Sequence, residues 1–246
     1  MMKKSSSLLY LQSFRIRSYD VDFRRRRPDV LCAFFQEVAS EHALQLGVGY
    51  KQFDKQHLFW VLSRLLLKVK RMPRWHEQII IESWAKGTER LFAVRDFLVR
   101  SAEGEIIGRA SSYWLILNTQ NRRPVRPDSF FSHLNFQQDA IEEAIEKLPE
   151  LRKGKKHIEH ARYSDIDHNA HVNNIRYVAW MLNSFSTEHM RQYQLDSLQL
   201  NFLTEIKEGD LVEIYKQEEE GMYLINGYRQ AEEQPCFSGA LKWKQV

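Results

Sequence analysis

Between Tyr163 and Asn174 the chain reads Tyr-Ser-Asp-Ile-Asp-His-Asn-Ala-His-Val-Asn-Asn, a dense set of polar groups placed directly before an apolar stretch. In an extended or turning segment, Asp167, Asn169 and His171 stand at alternating positions and share one side, while Asn173 or Asn174 is placed to cap a following helix. Three readings fit these residue types. A capping loop with solvated polar side chains needs no reactive role. A metal site would use His168 and His171, with Asp165 and Asp167 nearby, and His157 and His160 repeat the same spacing; such a set permits a metal without specifying one. A nucleophilic triad fits worst, because Ser164 lacks a Gly-x-Ser-x-Gly elbow and neither Cys32 nor Cys236 is close in sequence.

The elements around this segment repeat. Pro28 stands where a first helical residue belongs, and Val30, Leu31, Phe34, Phe35, Val38, Ala39, Ala43 and Leu46 recur at helical spacing before Gly47. Strand-like runs follow at His57 to Lys70, Gln78 to Trp84, Leu91 to Arg100 and Ile106 to Asn118, with turns at Met72-Pro73-Arg74 and Ala102-Glu103-Gly104. From Asn121 to Lys156 the chain reads as a linker with a helix over Gln137 to Lys147. A second helix is expected from Asn174 to Tyr193, then strands at Ser197 to Ile206, Asp210 to Gln217, Met222 to Arg229 and Pro235 to Lys244. The two helix starts lie roughly 145 residues apart, which predicts tandem copies of one α+β unit. Two such sheets joined edge to edge would cover strands that otherwise invite aggregation.

A chain of 246 residues with 43% hydrophobic content can bury one large core or two fused ones. Mean hydropathy is negative, and no apolar run nears the ~18 residues of a membrane span. The start, MMKKSSSLLYLQSF, has too short an apolar stretch for an export signal. Two distant cysteines exclude a disulfide framework and a multi-cysteine zinc site, so a reducing, cytoplasmic location is expected. The net charge is +4, with basic clusters at Arg24 to Arg27, at Arg122, Arg123 and Arg126, and at Lys153, Lys155 and Lys156. They predict a solvated face or an acidic partner; no nucleic-acid-binding motif accompanies them.

The run Asp167-x-Asn169-x-His171-Val-Asn173-Asn174, followed by Arg176-Tyr177-Val178-Ala179-Trp180, resembles the active-site segment of the acyl-acyl carrier protein thioesterases of plant plastids and bacteria. The likeness continues in Arg17-Ser18-Tyr19, in Leu58 to Ser63, in Pro73-Arg74-Trp75 and in Arg109-Ala110-Ser111-Ser112-x-Trp114, and covers about Phe14 to Lys242. It implies an α+β double hotdog fold, two tandem sheets each wrapping a central helix. The expected division is residues 1–120, a linker at 121–156, and a second unit at 157–246 that carries the active site.

For function, the resemblance implies hydrolysis of fatty acyl-acyl carrier protein to free fatty acid, without metal or organic cofactor. The catalytic set would be Asp167, Asn169, His171 and Glu205, the last in Leu200-Asn-Phe-Leu-Thr-Glu205-Ile206. Some relatives carry a cysteine after that glutamate. Here the position is Ile206, so water activated by a general base is the expected attacking group. In this reading Glu205, with or without His171, activates the water, Asn169 either orients that water or donates to the carbonyl oxygen with help from helix N-terminal amides, and Asp167 orients His171 and Asn169. The first unit has no matching polar block before Pro28, and Phe34, Phe35, Val38 and Trp60 are its expected tunnel lining. The implied partner is acyl carrier protein with its phosphopantetheine arm, and the assembly considered is a homodimer. Acyl-coenzyme A hydrolysis and non-catalytic acyl binding are the alternatives.

Overall fold

The computed structural model describes residues 8–23, 25–131 and 139–246. The first half runs β1 (Leu9–Arg15), a small hairpin of β2 (Val21–Asp22) and β3 (Arg25–Arg26), α1 (Pro28–Gln45) and α2 (Tyr50–Asp54). It continues with β4 (Leu58–Val69), β5 (Gln78–Glu89), β6 (Phe92–Ser101), β7 (Ile106–Asn118), β8 (Pro124–Val125) and α3 (Asp128–Phe131). The second half holds β9 (Lys155–His160), α4 (Asn174–Leu182), α5 (Thr187–Gln192), β10 (Tyr193–Phe202), β11 (Leu211–Glu219), β12 (Met222–Arg229) and β13 (Gln234–Gln245). Among the described residues, no helix is long and apolar enough to cross a membrane.

All strands except the small hairpin form one antiparallel sheet in the order β1-β5-β6-β7-β4-β10-β13-β12-β11-β9, with β8 added to β7. The halves meet where β4 pairs β10, from Ser197 opposite Lys68 to Asn201 opposite Arg64. Each half wraps its own helix, and α1 and α4 also pack on one another, so one apolar core runs from Ile16 and Leu31 to Ile225 and Leu241. This is the α+β double hotdog expected. Pro28 presets the first turn of α1, whose buried Leu31, Phe35, Val38 and His42 follow the helical period. Gly239, lacking a side chain, lets Met181 of α4 lie directly on β13.

A local device recurs in both halves. In the turns before each central helix, Asp20 Oδ2 accepts from Arg17 N at 2.9 Å and Asp165 Oδ2 accepts from Arg162 N at 2.9 Å. Each aspartate's carbonyl then takes a later amide, Arg27 N at 3.1 Å and Asn173 N at 2.8 Å. The segment closed between them is the β2–β3 hairpin in the first half and the Ile166-to-Val172 loop, bridged at its ends, in the second.

Four expectations need correction. The helix foreseen over Gln137 to Lys147 is absent: residues 137 and 138 lie outside the described residues, and 139–147 run as an extended strap over the outer face of the sheet. Tertiary contacts override a helix-favouring sequence here. Ile141 and Ile145 bury against Leu66, Val94 and Tyr113, and the carbonyls of Ile141 and Glu146 accept from Lys86 (3.0 Å) and Gln199 (2.6 Å). Second, the single helix from Asn174 to Tyr193 is two, because Ser186 caps a new helix by accepting from His189 N at 3.2 Å. Third, β10 ends at Phe202, so Glu205 stands in the following loop and not on the strand. Fourth, β1 and β9 form strands at the two ends of the sheet where none were foreseen.

The strap gives a stability test. Ile145 is buried in a satellite core, and Ile145→Ala is expected to lower the unfolding free energy by about 2–5 kcal/mol. Urea unfolding followed by circular dichroism measures it; an unchanged midpoint would mean that the strap is not part of the cooperative unit.

Candidate active site

The loop before α4 is built by short-range bonds. Asp167 Oδ1 accepts from Asn169 N at 2.8 Å, Ala170 N donates to Asp167 O at 3.0 Å, and Asp167 N donates to His171 O at 2.9 Å. Ala170 closes the turn with a φ of 61°, and Asn173 Oδ1 caps α4 by accepting from Ile175 N at 3.0 Å. Asp165 anchors the base of the loop through an ion pair with Arg176 at 2.6 Å. Asp167 therefore shapes the backbone of the loop that carries Asn169 and His171.

Glu205 is pinned opposite this loop. On one side Thr204 N donates to Cys236 O at 3.2 Å; on the other Ile206 O accepts from Val172 N at 2.8 Å, and the Ile206 side chain is fully buried. Tyr177 OH reaches Thr204 O at 3.4 Å, and burial pushes its hydroxyl pKa above the ordinary tyrosine range. The result places Glu205 Oε2 3.3 Å from His171 Nε2. The second group on Oε2 is the Arg122 guanidinium, which arrives from the turn between β7 and β8 and stacks over Phe59 at 5.0 Å.

Two adjoining cavities give the arrangement its shape. A cleft of about 330 Å³ sets His171, Glu205, Arg122 and Tyr177 against apolar walls such as Phe59, Val61 and Phe202; a mostly apolar pocket of about 190 Å³ lies under α1 and α2, lined by Ala43, Val48, Phe53, Trp114 and Phe131. Asp167 and Asn169 line both, together with Tyr50, Phe59 and Trp60, so the loop stands at the junction. The pocket wall is held by ring contacts, with Phe53 stacked on Trp60 at 5.0 Å and Trp60 Nε1 donating to Val48 O at 2.9 Å. Arg95 also lines it, donating to His42 Nδ1 at 2.9 Å and Ser83 Oγ at 3.0 Å, and burial lowers its pKa to about 10.

Of the four residues foreseen as lining, Trp60 lines the pocket and Phe35 a smaller cavity beside it. Val38 is fully buried core, and Phe34 stacks on Phe14 at 3.8 Å in that core. The basic clusters divide too. Arg152 and Lys156 are committed to Glu213, at 2.8 and 3.0 Å, and Arg27 to Asp29 at 3.0 Å. Arg24 lies outside the described residues. Arg123 and Arg126 remain exposed beside Arg122.

For the metal reading, His168 lies edge-on to Tyr50 at 5.7 Å and His171 contacts Glu205; among the described residues no three His, Cys, Asp or Glu side chains gather to hold an ion. Sequence distance concealed Arg122, 83 residues from Glu205, and also concealed Cys236, whose carbonyl sits behind the Glu205 loop. That thiol is fully buried, and burial pushes its pKa up to about 12, which keeps it from acting as a nucleophile. Native protein should therefore resist iodoacetamide at Cys236 at mildly alkaline pH and label only on denaturation, as read by mass spectrometry. Rapid native labelling would reopen a cysteine mechanism.

Comparison with known proteins gives a consistent result. The profile of the acyl-ACP thioesterase N-terminal domain matches residues 7–132, and that of the acyl-ACP thioesterase C-terminal domain matches residues 149–244. The chain is 30% identical over 227 residues to oleoyl-acyl carrier protein thioesterase 1, chloroplastic, of Arabidopsis thaliana, covering 84% of this chain and 63% of that protein. It is 29% identical to the corresponding Coriandrum sativum protein, spanning 62% of the relative's length. Among solved structures, an acyl-ACP thioesterase from Bacteroides thetaiotaomicron superposes with a TM-score of 0.89 at 25% identity, covering 99% of this chain and 100% of that one. The 12:0-ACP thioesterase of Umbellularia californica shares the fold, with a TM-score of 0.86 at 23% identity over 98% of each chain.

Proposed function

The chain belongs to the acyl-ACP thioesterase family, and from that premise we propose that it hydrolyses fatty acyl thioesters of acyl carrier protein to free fatty acid. One observation carries the reading: Asp167 and Asn169 stand where the cleft holding His171 and Glu205 meets a mostly apolar pocket. An acyl chain fills the pocket, which places its thioester carbonyl at the junction and its pantetheine arm in the cleft.

Glu205 takes a proton from water as the water oxygen bonds to the carbonyl carbon. His171, 3.3 Å away, steadies the carboxylate. The oxyanion that forms needs a donor, and the Ile175 and Arg176 amides are already committed to Asn173. The Asn169 side chain and the Asn174 amide are the donors at the junction. Collapse of the tetrahedral intermediate breaks the C–S bond, and the departing thiolate takes the proton back from Glu205. Asp167 acts by holding the Asn169 backbone.

Acyl carrier protein is the partner this reading requires, an acidic protein that exposed Arg123 and Arg126 beside the cleft suit electrostatically. The reading places the enzyme in the cytoplasm, where the buried thiols of Cys32 and Cys236 stay reduced. The end strands β1 and β9 offer edges for a homodimer, which light scattering would register as a doubled mass.

Single-turnover hydrolysis of matched acyl chains on carrier protein and on coenzyme A tests the assignment. Faster turnover on carrier protein is expected, with Asn169→Ala slower by about 10²–10³-fold. A strong preference for coenzyme A would overturn the partner, and wild-type rates in Asn169→Ala and His171→Ala would overturn the site.

A further inference from the structure

We propose that Arg122 is a positioning residue of the hydrolytic site, which fixes the Glu205 carboxylate so that Oε1 is the oxygen that takes the proton from water. The inference rests on the assignment of Glu205 as the base. Among the described residues, the Arg122 guanidinium and His171 Nε2 both approach this carboxylate at Oε2. With Oε2 engaged by the Arg122 guanidinium beside His171 Nε2, Oε1 is the oxygen presented to water, which is the orientation that general-base attack requires.

The local backbone is arranged around this contact. Arg122 has a φ of 58°, a conformation that a side-chain-bearing residue adopts at a cost. A tight turn imposes it: Arg122 N donates to Asn118 O at 2.9 Å, Asn118 N donates to Arg123 O at 3.0 Å, and Asn118 Oδ1 accepts from Gln120 N at 2.9 Å and Asn121 N at 3.2 Å. Thr119 N ties the turn to His57 O at 2.8 Å. The guanidinium is then held over Phe59, which itself lines the junction. Arg122 is half exposed, so its pairing with Glu205 contributes little to folding; the strained, multiply bonded turn serves the orientation of the partner. It also makes the base depend on the first half of the chain, since Glu205 lies in the second.

The test compares Arg122→Met and Arg122→Lys on acyl-carrier protein and on an acyl-N-acetylcysteamine thioester, which has no phosphate. Arg122→Met is expected to lower kcat on both substrates by the same factor, on the order of 10²-fold, with KM little changed. Added guanidinium ion should restore part of the rate, and Arg122→Lys should fall between. Placed on a Glu205→Gln background, Arg122→Met should slow the enzyme no further, because residues acting as a unit are not additive. A rise in KM confined to the carrier-protein substrate would overturn the inference in favour of a phosphate anchor, and additive losses in the double variant would overturn it as well. If Glu205→Gln alone kept full activity, the base assignment would fall first, an outcome separate from a silent Arg122→Met in an enzyme that Glu205→Gln disables.

Discussion

Glu205→Gln is expected to lower kcat for acyl-carrier protein hydrolysis by about 10²–10⁴-fold, the usual contribution of a positioned general base. The substitution keeps the shape of the side chain and its neighbours, so the comparison isolates proton transfer. The fold should be untouched, because the backbone on both sides of Glu205 is held by Cys236 and Val172 independently of the side chain. The ion pair lost with Arg122 is exposed enough to matter by only about 0–1 kcal/mol. Stopped-flow release of thiol under single-turnover conditions, with thermal unfolding as the control, decides the matter. A loss of only a few-fold with an unchanged melting curve would remove Glu205 from the chemistry. A covalent acyl-enzyme trapped in wild type would replace attack by water with attack by a side chain.

The second large effect concerns the pocket. Ala43 of α1 lines it, and Ala43→Phe is expected to cut kcat/KM for the longest chains that wild type accepts by about 10–200-fold for each methylene displaced. Chains short enough to stop before the new ring should react as before. The larger side chain costs about 1–3 kcal/mol in folding if the site cannot relax, so melting temperature is measured alongside. Competition between acyl chains in one reaction, with the free acids quantified by mass spectrometry, reads the profile directly. A uniform loss at every chain length would mean that the acyl group lies elsewhere.

Much of this site was legible because Asp167, Asn169 and His171 lie within a few residues of one another, where spacing constrains geometry. Of the extended and turning forms that the spacing allowed, the chain takes the turning one, closing at Ala170, with Asp167 bonding a backbone amide that spacing alone did not indicate. Glu205 was identified through family resemblance alone, and Arg122 was read as part of a basic cluster. No local pattern reports a contact that closes over 83 residues. The fold followed the same rule. The long strands and α1 carried clear periodicity, whereas β9, reading Lys-Lys-His-Ile-Glu-His, has the charged pattern of a protected edge strand and so gave no strand signal. The strap over 139–147 read as a helix because its propensity was local and its partners, Leu66, Val94 and Tyr113, were not.

The twin aspartate-closed turns at Asp20 and Asp165 have a consequence for how the molecule can change. Two equivalent backbone frames exist, yet only the second encloses the Asn169 and His171 side chains; the first encloses a hairpin carrying Phe23. Loop is thus separable from scaffold: what lies between each aspartate and the amide it closes upon is cargo on a shared mount. The first mount carries a plain hairpin, which a protein engineer could exchange for a second polar loop patterned on residues 166–172.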